Sequence, residues 1–190
     1  NLSADYWLTS GLPGTPDETL LRTYMIRNSV GVILERIDWT YLADYVIEGY
    51  NIGILYRSAA EGTANGHLYN MKLLDCYYPV YAEQPSWAII SDCEFRAAGG
   101  DGATAFYIDS KCSGDFVFSN CTFESAGANA FVNNGKSKVA MTGCTLTSAT
   151  GSVYVDLTAA ESSFVNTVFM GKDAERFKVI TDESIAKAEK

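Results

Sequence analysis

Residues 119–148 read SNCTFESAGANAFVNNGKSKVAMTGCTLTS and say nearly the same thing twice. NCTF at 120–123 becomes GCTL at 143–146, and each is followed by small polar residues and another apolar strand. Cys121 and Cys144 lie 23 residues apart. Working outward, KLLDCYY places Cys76, AIISDCEF places Cys93 and SFVNTVF places Thr167 in the same column. The successive intervals are 17, 28, 23 and 23. Further back, YVIEGYNI aligns on Tyr50 and VILERIDW on Ile37. Each match alternates like a strand with one buried face. In FVFSNCTF, Phe116, Phe118, Cys121 and Phe123 are expected to point inward. Val117, Ser119 and Thr122 are expected to point outward, with Asn120 at a bend. A second strand follows each first one: ATAFYID after Cys93, NAFVNN after Cys121 and SVYVDL after Cys144.

A self-similar unit of about 20 to 25 residues, all strand and turn, is a solenoid signature. The fixed Leu and Asn pattern of leucine-rich repeats is absent, and a propeller blade needs roughly 40 residues. The expected fold is therefore all-β: a right-handed parallel β-helix of about seven rungs, stacked at about 4.8 Å. Cysteines and the Phe123/Leu146/Phe169 set then form internal ladders. The column before the cysteines holds Asp75, Asp92, Asn120, Gly143 and Asn166, residue types that tolerate left-handed bends.

Composition narrows the partners. The formal net charge is −9 and no run of Lys and Arg occurs, so phosphate backbones and anionic membrane surfaces are repelled. No apolar stretch approaches the roughly 20 residues that span a bilayer. The five cysteines include no CxxC and follow the repeat, which matches neither a metal site nor a disulfide framework. Cys112 lies off the ladder in a loop and is expected to be exposed. The domain expectation is one β-helix over 1–180, a charged tail over 181–190, and a chain excised from something longer. A helix is expected over about 16–28, with Thr15 as N-cap, Glu18 as capping-box partner and Leu20, Leu21, Tyr24 and Met25 as its apolar stripe. Longer intervals mark loops at RAAGGDGA, DSKCSGD and YRSAAEGTANGH, where function tends to sit.

The rungs NCTF…AFVNN…GCTL…VYVD resemble the pectin-lyase-like superfamily of right-handed β-helices. The opening ADYWLTSGLPGTPDE…VGVILERIDWTYLADYVIEGYNIGI is similar to pectate-lyase-3-type and glycoside-hydrolase-55-like bacterial proteins. The resemblance covers about residues 30–180. It implies a carbohydrate-active, secreted or cell-surface protein acting on a polysaccharide or oligosaccharide. Fold alone does not choose among lyase, hydrolase, tailspike and adhesin. The NTD, DD, GHG and RIK blocks of polygalacturonases are missing, as are the WIDH-like stretch and the Arg of pectate lyases.

Candidate chemistry comes from three places. Aligning AFYIDSK, AFVNNGK and VYVDLT puts Asp109, Asn134 and Asp156 in one column. Two rungs then separate Asp109 from Asp156, about 9 to 10 Å between Cα atoms. That approaches the roughly 6.5–9.5 Å carboxyl separation of inverting glycosidases. Lys111 and Lys136 sit two residues further on and are candidates for substrate contact. The competing reading is a turn column whose Asp and Asn bond their own backbone. Second, Glu94, Arg96, Asp101 and Glu124 form a charged cluster that reads as a sugar groove or as surface ion pairs. Third, CYYPVYAEQPSW groups Tyr77, Tyr78, Tyr81 and Trp87, either an aromatic platform for sugars or ordinary packing. His67, the single histidine, reads as a solvated loop residue. No cofactor is expected, and Ca²⁺ is possible without a motif. Three functions stay open: a glycoside hydrolase or polysaccharide lyase on a neutral glycan, a non-catalytic glycan-binding module, and a scaffold segment.

Overall fold

Apolar residues at every second position recur three times in each repeat, and each recurrence forms a short strand that pairs in parallel with its counterparts in neighbouring repeats. The computed structural model describes residues 1–127, 129–148, 154–157, 162–171 and 178–181. The chain starts with helices α1 (Asp5–Leu8) and α2 (Glu18–Asn28). The first turn comprises β1 (Val30–Leu34), β2 (Thr40–Ala43) and β3 (Val46–Glu48). The second comprises β4 (Ile52–Tyr56), β5 (Asn65–Tyr69) and β6 (Lys72–Cys76), and the third β7 (Tyr78–Ala82), β8 (Trp87–Ser91) and β9 (Glu94–Ala97). The fourth comprises β10 (Thr104–Ile108), β11 (Asp115–Ser119) and β12 (Thr122–Ser125), and the fifth β13 (Asn129–Asn133), β14 (Val139–Thr142) and β15 (Thr145–Ser148). A sixth turn is carried by β16 (Tyr154–Leu157), β17 (Ser162–Val165) and β18 (Val168–Gly171), after which β19 (Lys178–Thr181) rejoins the first sheet.

Three parallel sheets result. Sheet 1 runs β1-β4-β7-β10-β13-β16-β19, sheet 2 runs β2 to β17 and sheet 3 runs β3 to β18, always in steps of three. The described turns thus number slightly fewer than the seven expected, because the Ile37 alignment is not a rung. Ile37 is exposed in the β1–β2 connection, where its carbonyl accepts from the Asn65 N–H.

Each sheet contributes an inward ladder. Ile54, Val80, Phe106 and Phe131 line sheet 1. Leu68, Ile90, Phe118 and Met141 line sheet 2. Leu73, Phe95, Phe123 and Leu146 line sheet 3. All of these are fully or almost fully buried. Phe95 stacks on Phe123 with centroids 5.2 Å apart, Phe106 stacks on Phe131 at 5.3 Å, and Phe118 meets Phe123 edge-on at 5.3 Å. Each such ring stabilises the fold by about 1.5–3 kcal/mol through burial alone.

Two corners carry left-handed residues. Between sheets 2 and 3, Asp44, Asn70, Asp92, Asn120, Gly143 and Asn166 take φ between +48° and +64°. The Asn70 amide donates to Asp44 Oδ1 at 2.6 Å and that of Asn120 to Asp92 Oδ1 at 3.4 Å, so the amides ladder between turns. Asp75 (φ +54°) belongs instead with Gly49 (φ +77°), between sheets 3 and 1. This corrects the cysteine column. Met71, Cys93, Cys121, Cys144 and Thr167 precede paired positions of sheet 3, and the Met71 N–H donates to Cys93 Sγ at 3.4 Å. Cys76 aligns with Tyr50 at the other corner, where the Tyr77 N–H donates to the Tyr50 carbonyl. An acidic bend followed by an apolar residue looks the same in sequence at either corner.

Two further expectations change. Cys112 is buried, not exposed. The loop after β10 folds inward, its Cys112 carbonyl accepts from the Lys136 N–H at 2.8 Å, and Ser137 Oγ donates to the Cys112 sulfur. Helix α2 is capped by Asp17, whose Oδ1 accepts from the Leu20 N–H at 3.0 Å, while Thr15 bonds the Leu12 carbonyl and Glu18 pairs with Arg22. A carboxylate at this place also complements the helix dipole. No residue of α2 is buried, and Leu20 and Tyr24 face solvent. The helix lies beside the corner at Asn51 and Gly99, the Asn51 amide donating to the Arg27 carbonyl. The tail expectation over 181–190 lies outside the described residues beyond Thr181.

Candidate functional site

The outer face of sheet 1 gathers four of the predicted residues. Outward positions alternate with the inward ladder, so Ile33, Leu55, Tyr81, Tyr107 and Val132 form one row. Two residues further along, Glu83, Asp109 and Asn134 form the next, since the Asp109 N–H bonds the Ala82 carbonyl and the Asn134 N–H bonds that of Ile108. Tyr81 and Tyr107 stack at 4.9 Å, one ring per turn, and Tyr78 packs against both at 5.3 and 5.5 Å. The Tyr81 hydroxyl donates to Asp109 Oδ2 at 2.9 Å. The Asn134 amide donates to the Tyr107 hydroxyl at 2.8 Å. Asp109 Oδ1 accepts from the Lys111 N–H at 3.0 Å and from Ser110 Oγ at 3.3 Å.

These contacts determine the protonation states. Partial burial works to raise the Asp109 carboxyl. The hydrogen bonds from the Lys111 N–H, Tyr81 and Ser110, with the Lys111 charge, outweigh it and hold the pKa below the usual carboxylate value. Burial, then the bond to Asp109, pushes the Tyr81 hydroxyl upward, so it stays a proton donor. The site thus presents an ionised carboxylate, an amide and two phenol hydroxyls on a rigid sheet face. Lys111 and Lys136 are exposed beside it.

Asp156 is not in the Asp109 column. Its backbone pairs with Val132, which pairs with Tyr107, two residues short of the position expected. The pairing also shifts by one residue between Asn129 and Phe131, and the apolar pattern of SVYVDL cannot reveal this register. Two strand spacings and two residues along the strand separate the Cα atoms of Asp109 and Asp156 by about 12 Å. The carboxyl that does flank Asp109 on an adjacent turn is Glu83, which accepts from the Ser58 N–H at 2.9 Å.

The charged cluster lies elsewhere, on the outer face of sheet 3. Arg96 grips Asp75 with two bonds of 2.8 Å and has Glu94 at 3.7 Å. Its hydrogen bond to Asp75 raises the Arg96 pKa and lowers that of Asp75. This pair joins two turns and leaves the guanidinium engaged. Tyr77 sits at the corner between sheets 3 and 1, edge-on to Tyr78 at 4.8 Å and close over Gly102.

A further aromatic group escaped the sequence reading. Trp87 lies on β8 in sheet 2, on another face from the tyrosines. His67 lies within β5, not in a loop, and its ring stacks on Tyr41 and meets Trp87 edge-on. Trp39 completes the group beside Trp87. The register Tyr41–His67–Ile89 that assembles these rings is invisible until β2, β5 and β8 are aligned. Among the described residues, no group of three or more His, Cys, Asp or Glu is placed to hold a metal ion.

The profile described as "Right handed beta helix region" matches residues 27–169. The chain belongs to the right-handed β-helix family. No curated protein and no solved structure matches it. The parallel solenoid and this match agree with the pectin-lyase-like resemblance, and membership of the β-helix family is compatible with carbohydrate-related roles.

Proposed function

We propose that this β-helix binds a neutral polysaccharide or oligosaccharide across the outer face of sheet 1. The observation that carries the reading is the convergence of Asp109, Asn134, Tyr81 and Tyr107 on one outward sheet face, Asn134 exposed and the other three half-buried. An ionised carboxylate accepts strongly from sugar hydroxyls, and the amide and phenols both donate and accept. Glycoside hydrolysis needs a carboxyl that still carries its proton at working pH. Asp109, held ionised, fits the base or nucleophile and not the acid, so binding is the reading it supports without a second group. Lys111 and Lys136 flank the surface as further contacts for a long ligand. Such binding needs no cofactor, and a polymeric ligand suits a secreted or cell-surface protein.

Calorimetric titration with a panel of neutral oligosaccharides tests this. Asp109→Asn and Asn134→Ala are expected to weaken binding by about tenfold each with the melting temperature nearly unchanged. Affinity is expected to hold from neutral pH down to the ordinary Asp value of about 3.9 and to fall only below it, as the carboxylate with its lowered pKa gains its proton. Unchanged affinity in both variants sinks the proposal. Release of reducing ends, abolished by Asp109→Asn, replaces it with the hydrolase reading.

A further inference from the structure

The outer face of sheet 2 holds a feature that folding alone does not explain. Trp39 takes φ +61°, whereas every other described residue with positive φ is Asp, Asn or Gly. For a bulky aromatic this is a strained backbone, and such strain persists only where surrounding contacts hold it. Here the Trp39 N–H donates to Asn65 Oδ1 at 2.6 Å. The strain yields no burial, for the Trp39 residue is 63% exposed. Its ring stands edge-on to Trp87 at 5.4 Å, Trp87 meets His67 edge-on at 5.7 Å, and His67 lies flat on Tyr41 at 5.0 Å and 8°. Tyr41 is 67% exposed. Four rings from three successive turns therefore form one continuous row, exposed at Trp39 and Tyr41 and half-buried at His67 and Trp87.

We infer that this row is a second saccharide-binding platform, which takes one or two neutral pyranose rings by stacking on Trp39 and Tyr41. A pyranose has an apolar face of C–H groups and a rim of hydroxyls. The row has the complementary form: open aromatic faces bordered by the polar edges of His67 and Asn65. Charge selects the ligand further. No Asp, Glu, Lys or Arg belongs to the row. The nearest charges are the exposed Asp38, next to Trp39 in the chain, and in the Trp87 register Asp115 and Lys138, of opposite sign, one and two turns on. An uncharged ligand meets no penalty here, on a chain whose net charge is −9. Size argues against a protein partner. Three turns span about 10 Å along the solenoid axis. With strands of about five residues, roughly 17 Å long, such a face covers on the order of 170 Å², far short of the roughly 800 Å² per partner that a stable protein pair buries. An enclosed small-molecule site needs a concave pocket, and this surface is open. The inference takes its ligand class from the proposed function but uses other residues on another face.

Tryptophan fluorescence tests it in the full chain carrying Trp7→Phe, so that only Trp39 and Trp87 report. The probes are cellohexaose, xylohexaose and mannohexaose. At least one is expected to shift the emission saturably. Trp39→Gly is expected to raise its Kd by about tenfold or more while the melting temperature holds or increases, because glycine adopts the positive φ without strain. Tyr41→Ala is expected to weaken binding in the same direction. Three outcomes overturn the inference: no response to any hexasaccharide, undiminished binding by Trp39→Gly, or a dimer in sedimentation that Trp39→Gly converts to monomer. Asp109→Asn, titrated calorimetrically with the same probes, separates the two surfaces. Loss confined to Asp109→Asn leaves sheet 1 as the only binding face, and loss confined to Trp39→Gly leaves only sheet 2.

Discussion

Asn120 takes φ +53° and reaches Asp92 across one turn, so a single residue both bends the chain and links neighbouring coils. A side chain with Cβ costs about 1–2 kcal/mol in this conformation unless it bonds locally, and glycine does not bear that cost. Asn120→Ala is therefore expected to lower stability by about 1–2 kcal/mol, whereas Asn120→Gly stays within about 0.5 kcal/mol, as read from urea unfolding midpoints. Equal losses in both variants would assign the stabilisation to the amide ladder and not to the backbone. This column was legible in sequence at Asp92, Asn120, Gly143 and Asn166. Asp75 was legible as a bend but not as a member of a different corner, because a left-handed residue carries no mark of the sheets it joins. At the site, Asp109 and Asn134 were found by column alignment and Tyr81 by its place in the aromatic stretch CYYPVYAEQPSW. Tyr107 was not, because its hydroxyl gains meaning only once Asn134 lies one turn above.

Strands of four or five residues are too short to be stable alone, and their stability comes from the ladders they form with adjacent turns. Phe123 shows how. It is fully buried and touches Phe95, Phe106, Phe118 and Phe131 from all three sheets. Phe123→Ala is expected to cost about 3–5 kcal/mol. Thr122→Ala, one residue earlier and facing water, is expected to stay within about 0.5 kcal/mol. Chemical denaturation of both variants checks the contrast, and similar losses would refute the assignment of faces. Period-two patterning made these faces readable in FVFSNCTF, since a shift of one residue would have turned every Phe to solvent. Helix α2 was readable as a helix but not in its packing. Its apolar side chains have no counterpart pattern in sequence to show that Leu20 and Tyr24 remain exposed.

Across the whole molecule, the net charge of −9 sets which polymers approach. A polygalacturonate oligomer is expected to bind at least about tenfold more weakly than its neutral counterpart at low ionic strength, with the gap narrowing as salt shortens the screening length. Comparing the two Kd values at about 0.02 M and 0.3 M salt measures this, and tighter binding of the uronate at low salt would contradict it. The sequence by itself determined the solenoid: its repeat of apolar alternation and left-handed bends admits one stacking solution, because identical faces must meet turn upon turn. It determined which residues face inward wherever alternation was unbroken. Only the tertiary structure decided the register at irregular turns. It thereby removed Asp156 from the Asp109 column, replaced Cys76 by Met71 on the ladder and buried Cys112. The aromatic row of Trp39, Trp87, His67 and Tyr41 was likewise beyond sequence. Trp39 and Tyr41 share one turn, but His67 and Trp87 lie 20 and more residues away in the next two, and their adjacency is created by inter-strand pairing, which local pattern does not encode.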